Sequence, residues 1–278
     1  MSDPVTTTTP SAGQVRAVVE RSPALVLAQD KAGWLDLFAE GGAVQDPVGT
    51  APNVRGAHRD PKGEDDLGRF WDTFIAGNEI RFEVLADFFV GAEMARDVLI
   101  HTRLSTGLQI VVPAHLLYEV DGTHVRRMRA VWDLRQRTRG ALSSGWLGLK
   151  TLVAMSARML SVQGLGGSMA YARGMRVGIF GKGRRAVEAL VAAVESRDVA
   201  ALEAIFAPGA AIELPVGTRV APAALLEGLS GFNAEQVTPA GWMISFRYHV
   251  EGGRAGLAFL EFDPATGRVS TARFFGPQ

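Results

Sequence analysis

Residues 38–50 read FAEGGAVQDPVGT, and residues 206–218 read FAPGAAIELPVGT; eight of the thirteen positions are identical and the offset is a constant 168 residues, without a gap. A stretch that recurs in this way points to one structural unit used twice. Length agrees, because 278 residues exceed the ~100–150 of a single domain and suit two of modest size. Working outward, each copy is preceded by apolar residues at helical spacing, Trp34, Leu35, Leu37 and Phe38 in the first, Val199, Leu202, Ile205 and Phe206 in the second. The first copy is followed by runs rich in Val, Ile, Leu and Phe near 80–89, 95–105, 108–120 and 124–134. Turn signals such as Thr106-Gly107 and Asp121-Gly122 separate them. Helices followed by a run of strands predict an α+β fold, not a doubly wound parallel sheet.

The copies are unequal. The span from Asp46 to Arg129 is 24 residues longer than that from Leu214 to Arg273, and the extra material falls at 65–76 (DDLGRFWDTFIA), a predicted helix, and at the start of the next strand. The second unit is therefore expected to be shortened and shallower.

Composition fits a globular chain, with 47% hydrophobic and 21% charged residues. Lys+Arg and Asp+Glu are each 29, which argues against a nucleic-acid partner unless charge is locally segregated. Cysteine is absent, excluding disulfides, thiolate nucleophiles and cysteine-ligated zinc. Residues 1–12 (MSDPVTTTTPSA) are polar and read as a disordered tail without a secretion signal, so a cytoplasmic protein is expected.

Between the copies, 135–187 holds ten Lys/Arg (Arg135, Arg137, Arg139, Lys150, Arg158, Arg173, Arg176, Lys182, Arg184, Arg185) and no acid. Leu142, Trp146, Leu149, Val153 and Leu160 recur at roughly helical spacing until 164–167 (GLGG) breaks the pattern. Its longest uncharged stretch, 159–172, is too short to span a bilayer of about 30 Å. Two readings follow: the apolar stripe packs on the flanking domains with the charges in water, or the segment 137–185 makes peripheral contact with an anionic membrane.

At 37–49 (LFAEGGAVQDPVG) and again at 110–132 the sequence resembles the bacterial Δ5-3-ketosteroid isomerases and their SnoaL-like and nuclear-transport-factor-2-like relatives. The resemblance implies two cone-shaped α+β barrel domains, each a curved antiparallel sheet wrapped on helices. The first would span 13–136, a helical connector 137–183, and a second, degenerate domain 184–278. It implies that Asp46 is a general base and, counting back from Met128-Arg129-Ala130, that His115 stands where the family has the protonated acid of its oxyanion hole. It further implies an isomerase-type activity that shifts a proton on, or cyclises, an apolar carbonyl compound such as a steroid or polyketide.

The residue types suit that chemistry. A partly desolvated carboxylate on an Asp-Pro turn favours proton transfer beside a carbonyl, and a histidine can donate to the enolate that forms. Strand alternation places Val111, Pro113, His115 and Leu117 on one face, and Met128, Ala130 and Trp132 on another. With both faces lining the cone, and Ser22 and Trp71 contributed by helices, a pocket for a small, flat hydrophobic ligand is expected.

The sequence departs from the isomerases in having no tyrosine before Tyr118; Ser22, followed by the helix-breaking Pro23, falls near the place of their principal oxyanion tyrosine. Tyr118, three residues along a strand from His115, is expected to face away. His58, His101, His124 and His249 form no metal-ligand spacing, and no cofactor or metal is expected. In the second copy Leu214 replaces Asp46 and the counterpart of His115 falls near Ala258, so that unit is expected to be chemically silent, completing an intramolecular pseudo-dimer or homodimer. Two further readings stay open: a non-catalytic hydrophobic ligand-binding or dimerisation protein, and an epoxide hydrolase or cyclase.

Overall fold

A computed structural model describes residues 9–135, 144–174 and 176–276. Residues 1–8 of the expected tail, and Arg137, Arg139 and Leu142 of the connector, lie outside the described residues. Helix α1 (Ala12–Val19) starts at a reciprocal cap: Ser11 Oγ accepts the Gln14 N–H while the Gln14 side chain accepts the Ser11 N–H at 2.8 Å. In α2 (Arg21–Leu27) Pro23 sits in the first turn, where a missing N–H is tolerated, so the chain breaks at Glu20 and not at the proline. Asp30 caps α3 (Lys31–Leu35) through the Gly33 N–H. Strands β1 (Phe38–Gln45) and β2 (Asn53–Val54) precede α4 (Asp66–Phe70), which runs on into a π-helical turn, Trp71–Ile75. Four long strands follow: β3 (Glu79–Val90), β4 (Glu93–Arg103), β5 (Gln109–Val120) and β6 (Val125–Val131).

After α5 (Gly145–Gly174) the pattern repeats with α6 (Phe180–Glu195), α7 (Val199–Ile205) and β7 (Phe206–Glu213). A short helix α8 (Leu225–Gly228) leads to β8 (Asn233–Ala240), β9 (Met243–His249), β10 (Ala255–Phe262) and β11 (Val269–Phe275). The first sheet has the order β2-β1-β6-β5-β4-β3 and the second β7-β11-β10-β9-β8. In both, the strand preceding the Pro-Val-Gly turn pairs in parallel with the last strand: Gln45 opposite Arg129, Glu213 opposite Arg273. Both units are thus curved α+β sheets of one topology. The second is shallower because β8, β9 and β10 have 8, 7 and 8 residues where β3, β4 and β5 have 12, 11 and 12, and because α8 stands in for the longer α4 and its π turn.

Each sheet buries its inner face on its own helices. The first core gathers Trp34, Phe38, Leu67, Phe70, Trp71 and Met94; the second gathers Phe206, Ile212, Leu229, Phe246 and Phe274. The outer faces meet. Ala95, Leu117 and Val131 pack with Met243, Leu257, Phe259 and Phe275 in a third cluster between the sheets. Arg129 and Arg273, equivalent residues of the two copies, each reach across to a glutamate of the other, Arg129 to Glu261 at 2.6 Å and Arg273 to Glu93. The two sheets thus pack face to face within one chain.

Helix α5 lies over the open end of the first cone. Arg158 donates to the carbonyls of Asp72 and Ala76, both at 2.7 Å, satisfying acceptors that the end of the π turn leaves open. Gln163 reaches Thr73 at 3.0 Å, and the Tyr171 ring stacks on Phe74. Gly164, with φ 67° and ψ −174°, interrupts the helix in a conformation essentially reserved for glycine, where the sequence pattern breaks.

The Pro-Val-Gly turn of the first copy meets the β8–β9 hairpin of the second at Gly49 and Gly241. A Cβ on Gly241 would stand 2.5 Å from the Gly49 Cα, and its φ of +53° is left-handed. The obstructing atoms are backbone and cannot rotate away. Gly241→Ala is expected to lose about 2 kcal/mol or more, combining left-handed strain with the clash. Thermal melting beside the parent checks this; an unchanged midpoint would show that the two turns are not in contact.

Candidate active site in the first cone

Asp46 follows β1 on a turn held by backbone hydrogen bonds, Val48 N–H to the Ala130 carbonyl at 2.9 Å and Thr50 N–H to the Pro47 carbonyl at 3.2 Å. The Thr50 hydroxyl also donates to Pro47 O at 2.7 Å, and Gln45 Nε2 to Thr50 O at 2.9 Å. The half-buried Asp46 side chain accepts the indole N–H of Trp132 at 2.5 Å, which fixes one carboxylate oxygen. Both residues line a cavity of about 190 Å³ inside the cone. Its walls are mostly apolar, with Val26, Phe70, Phe74, Phe82, Ile100, Val112, Leu116 and Met128 among them. Ser22 is there too, its hydroxyl accepting from Trp34 Nε1 at 3.0 Å. Met155 and Tyr171 of α5 close the cavity, and a further apolar space of about 380 Å³ opens beneath the same helix. On its other side Asp46 borders a second recess whose polar lining includes His58, Asp66, Arg69 and Gln163.

Of the residues expected at the pocket, Asp46, Ser22, Met128 and Trp132 line it. Trp71 does not; it is buried in the core against Trp34, with ring centroids 5.4 Å apart. Val111, Pro113, His115 and Leu117 lie on the opposite face of β5. Val111 and Pro113 are exposed, Leu117 packs between the sheets, and His115 is fully buried there. The cause is a β-bulge. Val120 pairs with Val125, and a hairpin extended from that pair without interruption would set Leu117 opposite Met128 and His115 opposite Ala130. The register shifts between Glu119 and Val120, so the observed pairs are Tyr118 with Met128 and Leu116 with Ala130. One residue of slip exchanges the two faces of a strand.

The slip brings Tyr118, which sequence reading turned away, into the cavity. Burial raises its phenol well above the usual range; Arg96 opposes this, and the negative charge of Asp46 adds to it. The hydroxyl is therefore protonated at neutral pH, and has no hydrogen-bond partner among the described residues. Arg96 is itself 1% exposed, held by the buried Asp87 at 2.8 Å and by the exposed Glu20. Tyr118 shares the face of Met128 only because of the bulge, of which the sequence pattern carries no clear signal.

His115 Nδ1 meets Ser245 Oγ of the second sheet at 2.7 Å, and its Nε2 stands 3.7 Å from Asp97 Oδ1. Asp97 is held by Arg247. Among the described residues no three metal-type side chains gather. In the second cone the places of Asp46, Tyr118 and Trp132, read from strand pairing, belong to Leu214, Leu260 and Gly276, and His115 corresponds to Leu257, one residue before the expected Ala258. Leu214 packs onto the second core.

Residues 187–276 match the model of the SnoaL-like domain family. The first cone shares its strand order. Among solved structures, the Δ5-3-ketosteroid isomerase from Mycobacterium sp. is similar at 28% identity, over 44% of this chain and 94% of that one, with a TM-score of 0.37. RV0760c from Mycobacterium tuberculosis, in complex with estradiol-17beta-hemisuccinate, is 26% identical over 44% of this chain and 95% of its own, with a TM-score of 0.37. The epoxide hydrolase/cyclase-like enzyme SalBIII is 14% identical over 44% and 92%, with a TM-score of 0.38. No curated protein matches the chain.

Burial pushes His115 down to about 3 from 6.5, with Arg247 adding to the shift. It stays neutral in the folded chain but protonates in the unfolded chain below about 6.5, so its contribution to stability falls as the pH drops from 6.5 toward 3. Asp97, raised by burial against the pull of Arg247, works in the opposite sense. Comparison with His115→Gln isolates the histidine. The parent is expected to lose stability relative to the variant by up to about 1.4 kcal/mol per pH unit below 6.5. Urea unfolding at pH 7 and pH 5 measures it, and parallel losses in both proteins would refute the buried neutral histidine.

Proposed function

We propose that the first cone is a ketosteroid isomerase-like proton-transfer site for a planar hydrophobic carbonyl compound such as a steroid or polyketide. The observation that carries this is the placement of Asp46 and a protonated, cavity-facing Tyr118 in one apolar cavity. Asp46 takes a proton from the carbon next to the substrate carbonyl. The Tyr118 hydroxyl donates a hydrogen bond to the oxygen, on which negative charge grows as the enolate forms. Asp46 then returns the proton to the conjugated carbon, which moves the double bond without a cofactor. Trp132 holds the carboxylate through its N–H, and the apolar walls keep water from the enolate. His115 takes no part in this step, being committed to Ser245 on the far side of the sheet.

Asp46→Asn keeps the shape and removes the base. Turnover of a Δ5-3-ketosteroid should fall by about 10²–10⁴-fold, typical of losing a general base. Tyr118→Phe should lower it by about 10²-fold or more, as when one oxyanion donor is lost. His115→Gln and Leu214→Ala should retain nearly all of it. Steady-state kinetics on the four folded variants decide. Full turnover in Asp46→Asn would exclude the proton-transfer reading and leave a ligand-binding cone; loss in His115→Gln with none in Tyr118→Phe would return the donor role to the histidine.

A further inference from the structure

Helix α5 is apolar on two sides. Thr151, Leu152, Met155 and Met159 face the space over the first cone. Trp146, Leu149 and Val153 fall within one narrow arc of the helix on the other side and are 78%, 47% and 62% exposed, while Leu160, 48% exposed, also borders the inner space. Beyond the break at Gly164, Leu165 and Met169 are likewise 74% and 71% exposed. An outward row of this size is unusual on a water-soluble surface and marks an interaction site.

Its charge says which kind. From 135 to 187 there is no Asp or Glu. Arg158 and Arg184 are committed to the cones, but the exposed Lys150, Arg173, Arg176, Lys182 and Arg185 have no carboxylate partner among the described residues. Lys150 borders the Trp146 arc, and Arg173 continues the spacing of Leu165 and Met169. Exposed apolar side chains flanked by unpaired cations suit the interface of an anionic bilayer, where the apolar row enters the acyl boundary and the cations meet lipid phosphates. Among the described residues no helix is long and apolar enough to cross a membrane, so α5 would lie flat.

We propose that the outer face of α5 docks on an anionic phospholipid surface, which places the roof of the first cone at the lipid boundary. This does not depend on Asp46 being a base. The full chain should sediment with vesicles of equimolar phosphatidylcholine and phosphatidylglycerol, and far less with phosphatidylcholine alone. Raising salt from about 0.1 M to about 1 M, which shortens the screening length from about 10 Å to about 3 Å, should weaken binding. The double variant Trp146→Ser, Met169→Ser changes only exposed side chains and should weaken partition tenfold or more. The triple variant Lys150→Gln, Arg173→Gln, Arg176→Gln should do the same, at about fivefold per cation. Brominated lipid should quench fluorescence in the parent but much less in Trp146→Phe, locating the contact on α5.

No binding to the anionic vesicles, equal binding to both vesicle types, or parent-like binding by either variant overturns the proposal. So does a stable dimer, seen by light scattering without lipid, that Trp146→Ser, Met169→Ser dissolves, since the face would then belong to a second copy of the chain.

Discussion

A curved sheet has two faces, and neither can be left to water when both are apolar. In the first unit the inner face of β4–β6 closes on helices and a cavity, while the outer face presents Ala95, Leu117 and Val131. The second unit covers that outer face with Met243, Leu257 and Phe259. Burying these residues against each other, at about 25 cal/mol per Å² of apolar surface, removes any need for a partner chain at this face. The polar groups caught between the sheets are paired in most cases: His115 with Ser245, Asp97 with Arg247, Arg129 with Glu261. His115 Nε2 and Asp97 Oδ1 lack a good partner, so the interface is polar where the sequence alone suggested chemistry.

The two copies differ at the position of Asp46. In the second cone Leu214, at the place of Asp46, adds to a packed core of Phe206, Ile212, Phe246 and Phe274. The first keeps Asp46, Trp132 and Tyr118 around a space. The two are linked at the Pro-Val-Gly turn that follows Asp46, where Gly49 and Gly241 meet backbone to backbone. The second cone therefore supports the segment that carries Asp46.

Much of this was legible in the amino-acid order. The repeated thirteen residues revealed the duplication, although Phe38 and Phe206, read with the helical pattern before them, begin β1 and β7; turn signals placed β3 to β6 within a few positions. The face of β5 was not legible, because one bulge at Glu119 exchanges His115 for Tyr118, and bulges leave little trace in hydrophobic patterns. Trp71 was misplaced because an aromatic residue on an amphipathic helix suits a core as well as a pocket wall. The contribution of Met155 and Tyr171 was beyond local reading, since it depends on α5 folding back over the cone.

The central claim is that Asp46 and Tyr118, not His115, flank the reacting carbonyl. A crystal structure of the chain with a planar steroid-like phenol tests it most directly. The phenol oxygen, standing in for the enolate oxygen, should lie within hydrogen-bond distance of the Tyr118 hydroxyl, with the ring system beneath Met155 and Tyr171 and Asp46 over the adjacent carbons. A ligand bound in the second cone, or one whose oxygen points away from Tyr118, would contradict it.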